Sequence, residues 1–277
     1  MQMMMALPQW VLQWVLQWVL QWVPQGMPQG IPQGAALGWL LGAALAGGLA
    51  RGFSGFGAAL IFVPLASVAL GTQGAAPLML VLEVLAIIIL TPAAWRLADR
   101  PQVGLLALGA VLGTPFGAAI LARADPLALR WGVAVAVLGL LGLLVSGWRF
   151  RGRPNPPATI GVGVAAGLLG GIAMVSGPPV VAYLLGQPGD ARSVRASFGL
   201  FIAAGGVLAG ISYALAGLLT PALATPFLVA APLYGLGIWI GTRMFGLASE
   251  RIFRLACHVM IGLAALLGLP LWDGILR

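Results

Sequence analysis

GGLARGFSGFGAALIFVP, Gly47 to Pro64, sets an arginine, a serine and five glycines inside an otherwise apolar run. Non-helical backbone at membrane depth survives only where protein or a watery cavity satisfies its amide and carbonyl groups. A second stretch, Gly163 to Tyr183, reads GVAAGLLGGIAMVSGPPVVAY and falls on the first at an offset of 119 residues. Gly48 then lies over Gly167, Gly52 over Gly171, Gly57 over Ser176 and Pro64 over Tyr183. The same broken element opens each half of a duplicated chain.

The composition around these stretches is that of a polytopic membrane protein. Hydrophobic residues make up 61% of the 277 and charged residues only 7%, with a mean hydropathy of +1.03, far from the soluble globular range. Runs between charges approach the roughly 20 apolar residues that a helix needs to cross a bilayer, and barrel-type alternation is absent. The expected fold is therefore all-α. Net charge is +8, from fourteen arginines and no lysine against six acids. The arginines sit mostly in short loops, which is a topology signal and not a nucleic-acid footprint. The single cysteine, Cys257, and single histidine, His258, make neither a disulfide nor a metal-type cluster, so no cofactor or metal is expected.

Residues 1–34 are low-complexity. QWVL repeats bring Trp10, Trp14, Trp18 and Trp22, and PQG repeats bring Pro24, Pro28 and Pro32. The tryptophan stripe would suit a membrane interface, but tandem repeats of this kind carry no packed core and read as a repeat expansion or a misassigned start. No charged start of the signal-peptide type is present. The first repeat unit, 35–153, reads as a broken element over 35–70 and spans near 74–95, 102–122 and 126–148. The second, 154–277, repeats it with a broken element over 158–186 and spans near 194–218, 222–247 and 251–271. Gly113 and Gly117 followed by Arg130 match Gly237 and Gly241 followed by Arg254 at an offset of 124. Small residues four apart, also at Gly38/Gly42, Gly48/Gly52, Gly167/Gly171 and Gly206/Gly210, let helix backbones approach closely in lipid.

Thirteen arginines flank the spans or end the chain. If every element crossed once they would divide six against seven, with no bias; if the second broken element enters and leaves by one face they divide ten against three. Short loops normally concentrate arginine on the cytoplasmic side, so the count favours a re-entrant hairpin. By the duplication the first broken element is a hairpin too. Each half then has an odd number of crossings, and the halves form an inverted repeat.

A helix restarting after a glycine-rich break points free N–H groups and its positive dipole end at the cavity. The restarts fall near Gly57 and near Gly177, the latter begun by Pro178 and Pro179, which suit a first turn. Arg51, Ser54, Gly55, Gly57, Ser176, Gly177 and Pro178 are thus the candidate anion-binding residues. A guanidinium in a membrane costs at least about 2.5 to 3.5 kcal/mol, so Arg51 should face a cavity, a partner or a substrate. Glu83 is the acid deep in an apolar run; it either pairs with Arg51 or carries a proton. Arg192 and Arg195, beside Asp190, read as cytoplasmic anchors or as a funnel toward the second break. His258, inside the last span, reads as a packed helix residue before a ligand.

With these residues in view, the chain resembles the TauE/SafE family of sulfite and organosulfonate exporters from about Ala35 to Leu271. The resemblance is carried by GGLARGFSGFGAALIFVP, by GLLGGIAMVSGPPVVAYLL, by PLMLVLEVLAIIIL with its Glu83, and by the Gly-xxx-Gly then Arg pattern closing each half. It implies a multi-pass inner-membrane transporter of two related halves. The implied activity is ion-gradient-coupled export of small sulfur-containing anions such as sulfite, sulfoacetate or sulfolactate, with protons a candidate coupling ion. There are departures. Gly55, Phe56, Gly57, Ala58 and Ala59 replace a fuller glycine run, Ser176 and Gly177 stand in the equivalent place, and Ala76, Pro77 and Leu78 replace a Thr-Ser pair.

Two other readings remain open at the level of sequence. Gly52-Phe53-Ser54-Gly55 is a Gly-x-Ser-Gly that a rhomboid-like intramembrane protease would use with His258 as base, although a protease does not explain the duplication. An importer or channel on the same fold would share every feature above, because direction follows coupling and gradients. Partners expected on either transport reading are a small anion and the lipid bilayer; the sequence leaves the oligomeric state open, a homodimer among the options.

Overall fold

The computed structural model describes residues 33–54, 57–148, 150, 155–186, 191–244 and 250–272; the tryptophan and proline repeat up to residue 32, and Gly55, lie outside them. Nine helices are described: α1 (Ala35–Ser54), α2 (Ala58–Leu97), α3 (Arg100–Arg123), α4 (Pro126–Val145), α5 (Pro156–Ala173), α6 (Gly177–Leu184), α7 (Ala191–Leu215), α8 (Ala224–Met244) and α9 (Glu250–Leu267). There is no strand among the described residues. Seven helical stretches are long and apolar enough to cross a membrane, in α1 to α5, α7 and α8, and a shorter apolar run covers Cys257–Leu267. Large side chains such as Phe116, Val135 and Leu215 stand exposed on them, a surface suited to lipid and not to water.

Helix starts follow local chemistry. Asp99 accepts from the Gln102 N–H, Asp125 from Leu127 and Ala128, and Asn155 from Ala158, at 2.8 to 3.2 Å. A proline stands in the first turn of each, where its missing donor costs nothing. α2 is two helical stretches joined at Gly71, whose non-helical φ 66 and ψ 164 fall where the first broken element was expected to give way to the span near 74–95, through backbone angles that a side chain would oppose.

Glycines set the tight interfaces. Gly109, Gly113 and Gly117 of α3 lie so close to Ile160, Val164 and Leu168 of α5 that any Cβ would run into those backbones, and Gly163, Gly167 and Gly171 press back on α3. Gly48 and Gly52 of α1 meet Tyr234 and Ile238 of α8, with Gly237 and Gly241 reciprocating. In both pairs residue numbers rise together, so α3 and α5 run parallel, as do α1 and α8. Each pair joins a helix before residue 154 to one after it, and the offsets of 119 and 124 read from the sequence lay one pair over the other. By contrast α2 and α7 are antiparallel, since Leu80, Ile87 and Ala94 meet Gly210, Gly206 and Gly199.

α4 and α9 are antiparallel as well: Leu141 meets Gly262, and Arg130 reaches the Gly268 carbonyl at 3.2 Å. Arg130, counted among the loop arginines from sequence, is in fact 6% exposed in α4. It lends a charged donor to the end of α9, where carbonyls lack helical partners.

Candidate functional site

Both broken elements meet at one cavity. Gly57, Ala58, Ala59 and Leu60 line it from the first break, Met174 to Pro178 from the second, and α2, α3, α5 and α7 complete the wall. Its volume is about 60 Å³; one water needs roughly 10–15 Å³ by the same kind of measure, so there is room for a few waters or one small solute.

The breaks are built differently. Gly57 takes φ 92 before α2, whereas α5 ends on Met174 at φ 59 and ψ 18, in left-handed space. Met174 is the position that the offset of 119 places over Gly55. Its N–H reaches the Gly170 carbonyl at 2.8 Å, and the Val175 N–H the Leu169 carbonyl at 3.4 Å, which satisfies the helix end. Left-handed backbone at a side-chain-bearing residue is uncommon, and here it stands on the cavity wall. The ends of the second element also come together: the Phe150 N–H donates to the Ala182 carbonyl at 3.2 Å, and the Thr159 and Tyr183 hydroxyls lie 2.5 Å apart. In the first element, Gly47 packs on Ala58 and Phe62.

Arg51, in the last turn of α1, extends Nη2 to within 2.8 Å of Glu83 Oε2 on α2, with both side chains almost wholly buried at 11% and 7% exposure. The Tyr234 hydroxyl, from α8, donates to the other carboxylate oxygen. Of the two alternatives for Glu83 the pairing is therefore realised, and Arg51 and Glu83 both face the cavity. Tyr234 was not foreseen; an aromatic inside an apolar span carries no signal of its own, and 151 residues separate it from Glu83.

Ser176, Gly177 and Pro178 line the cavity and Ser176 is buried. Gly57 lines it too. Ser54 ends α1, its side chain outside the described set, as is Gly55. Thr114, Phe198, Phe201 and Gly205 join the wall unannounced by the sequence reading. His258 sits on α9 and does not line the cavity. No cluster of three or more metal-type ligands occurs among the described residues.

The two walls differ in charge. Under the offsets of 119 and 124, Arg51, Glu83 and Tyr234 fall on Gly170, Ile202 and Ala110, and all three of these line the cavity. One half thus supplies an ionic group where the other supplies small or apolar side chains.

A family model described as "Sulfite exporter TauE/SafE" matches residues 40–267. No curated protein and no solved structure matches the chain.

Proposed function

The chain belongs to the TauE/SafE sulfite exporter family, and from that premise we propose that it binds one small sulfur-containing anion in the cavity between its two breaks and exports it across the inner membrane. The observation that carries the proposal is the convergence of both glycine-rich breaks and a buried arginine on a single cavity. Arg51 supplies the charge, with a planar fork suited to oxyanions. Gly57, Ser176 and Gly177 bring backbone N–H donors and a hydroxyl to the same cavity, Pro178 completes its wall, and Ser54 and Gly55 belong to the same proposed shell.

The halves act as an inverted repeat whose relative rocking alternates access. Helix directions support this. A two-fold axis in the membrane plane makes each helix antiparallel to its own counterpart, and α2 against α7 and α4 against α9 are antiparallel. A re-entrant path is supported for the second broken element by the meeting of its two ends, at Thr159 with Tyr183, and for the first by the packing of Gly47, before the break, on Phe62, after it. On this reading ten arginines fall on the cytoplasmic face.

Glu83 is the proposed coupling group. An ionised Glu83 neutralises Arg51, so carboxylate and substrate compete for one guanidinium; protonating Glu83 releases Arg51 to the anion. By linkage, anion binding and proton binding strengthen each other. The test is binding and proteoliposome flux of a sulfonate whose own charge is constant with pH. Binding that tightens as pH falls, and that is pH-independent in Glu83→Gln, is expected. Saturable flux with no pH dependence would remove the coupling role, and absence of both binding and flux for sulfite and sulfonates would remove the function.

A further inference from the structure

Four exposed arginines gather at one end of the α2–α7 pair. Ala94 touches Gly199, and the Asp99 N–H donates to the Ser197 hydroxyl at 2.9 Å, so the C-terminal end of α2 lies beside the N-terminal end of α7. Arg96, Arg100, Arg192 and Arg195 come with them, all exposed. Asp99, whose carboxylate caps α3 through the Gln102 N–H, is the described acid at this end and leaves the four arginines in excess; Asp190 lies outside the described residues.

α7 leads inward from this cluster. Arg195, Phe198, Ile202 and Gly205 follow at helical spacing and share one face, and the last three line the cavity. Phe198 is 9% exposed, and its ring lies 3.5 Å from where a Cβ on Gly177 would stand, beside the second break. Along this helix face an apolar side chain stands between an exposed arginine and the deeper cavity residues.

We propose that Arg96, Arg100, Arg192 and Arg195 form an anion-collecting vestibule for the cavity, with Phe198 as the apolar door between them. The proposal rests on the anion-transport reading and adds the face from which the anion is taken and the residues that attract it. Like charges set around a cleft raise local counter-ion concentration and on-rate by about tenfold or more. Their reach is about one Debye length, roughly 8 Å at physiological ionic strength. Headgroup phosphates offer guanidinium groups the same oxyanion chemistry, so the test must separate lipid from substrate.

The full chain is reconstituted in phosphatidylcholine vesicles, with and without phosphatidylglycerol, and sulfite flux is followed against concentration and salt in both directions. Replacing all four arginines by glutamine is expected to raise KM about tenfold at low salt, leaving kcat unchanged and the difference vanishing at high salt. The four-lysine variant keeps the wild-type KM and salt dependence, and Arg123→Gln, at the far end of α3, changes neither. Arg195→Gln alone carries part of the rise, which guards against misinsertion of the fourfold variant.

Equal KM in wild type, the glutamine variant and Arg195→Gln overturns the vestibule while leaving transport intact. So does a defect confined to phosphatidylglycerol vesicles, which assigns the arginines to lipid. A wild-type chain that moves no sulfite in any vesicle overturns the transport reading and this one with it.

Discussion

Arg51 and Glu83 are each costly in a membrane alone and cheap together. Removing one partner of a buried pair leaves an uncompensated charge and typically costs about 3–5 kcal/mol, while replacing both by neutral groups is often close to neutral. Arg51→Ala is therefore expected to destabilise the protein strongly in detergent melts, and Arg51→Met with Glu83→Gln to melt near wild type; both lose anion binding. If Arg51→Ala melts like wild type, the pair is not the structural link described here. Tyr234→Phe deletes one hydrogen bond to a charged acceptor and should cost about 1.5–3 kcal/mol, with a displaced pH dependence of anion binding. A melting change without any pH effect would make Tyr234 a packing residue only. The charged pair was legible in the sequence because opposite charges in apolar runs seek each other. Tyr234, Thr114 and Phe198 were not, since each is an ordinary residue of a span until the fold delivers it to the cavity.

Among the elements, the parallel α1–α8 and α3–α5 pairs depend on absent side chains. A Cβ on Gly113 or Gly237 would collide with partner backbone, which cannot turn aside as a side chain does. Gly113→Ala and Gly237→Ala should each lower stability by about 1–3 kcal/mol, the usual range for overpacking. Gly132→Ala on α4 meets nothing within 4 Å and should be neutral or slightly stabilising, since alanine favours helix by about 1 kcal/mol over glycine. Thermal melts of the three variants in one detergent check the contrast; equal effects would deny the glycine interfaces. Spacing in the sequence announced that these glycines pack helices, but not which helices, because four-residue patterns carry no partner label. The spans expected near 102–122 and 126–148 begin within a few residues of α3 and α4. The boundary expected near residue 70 falls at Gly71, whose non-helical angles interrupt α2.

At the scale of the whole molecule, duplication and arginine bookkeeping pointed to two inverted halves, each opening with a hairpin. The contact registers of α2 with α7 and α4 with α9 favour the same arrangement. In a Cys257→Ser background, Asn155→Cys and Leu185→Cys flank the second broken element at exposed positions. Both should react with a membrane-impermeant maleimide from the same side, and labelling from opposite sides would make that element a single crossing. What the sequence could not convey was that Arg51 and Glu83, and the Gly170 and Ile202 that the offset lays over them, line one cavity. That meeting exists only once the halves are folded against each other.

The most direct measurement is sulfite binding by calorimetry to wild type and to Gly205→Phe. Gly205 lines the cavity, and a Cβ there meets nothing within 4 Å, so a side chain at this position starts in open space and a phenyl ring takes up room that the anion would need. A folded Gly205→Phe protein that no longer binds sulfite is the predicted result, and sulfite binding at wild-type affinity would contradict the placement of the anion between the two breaks.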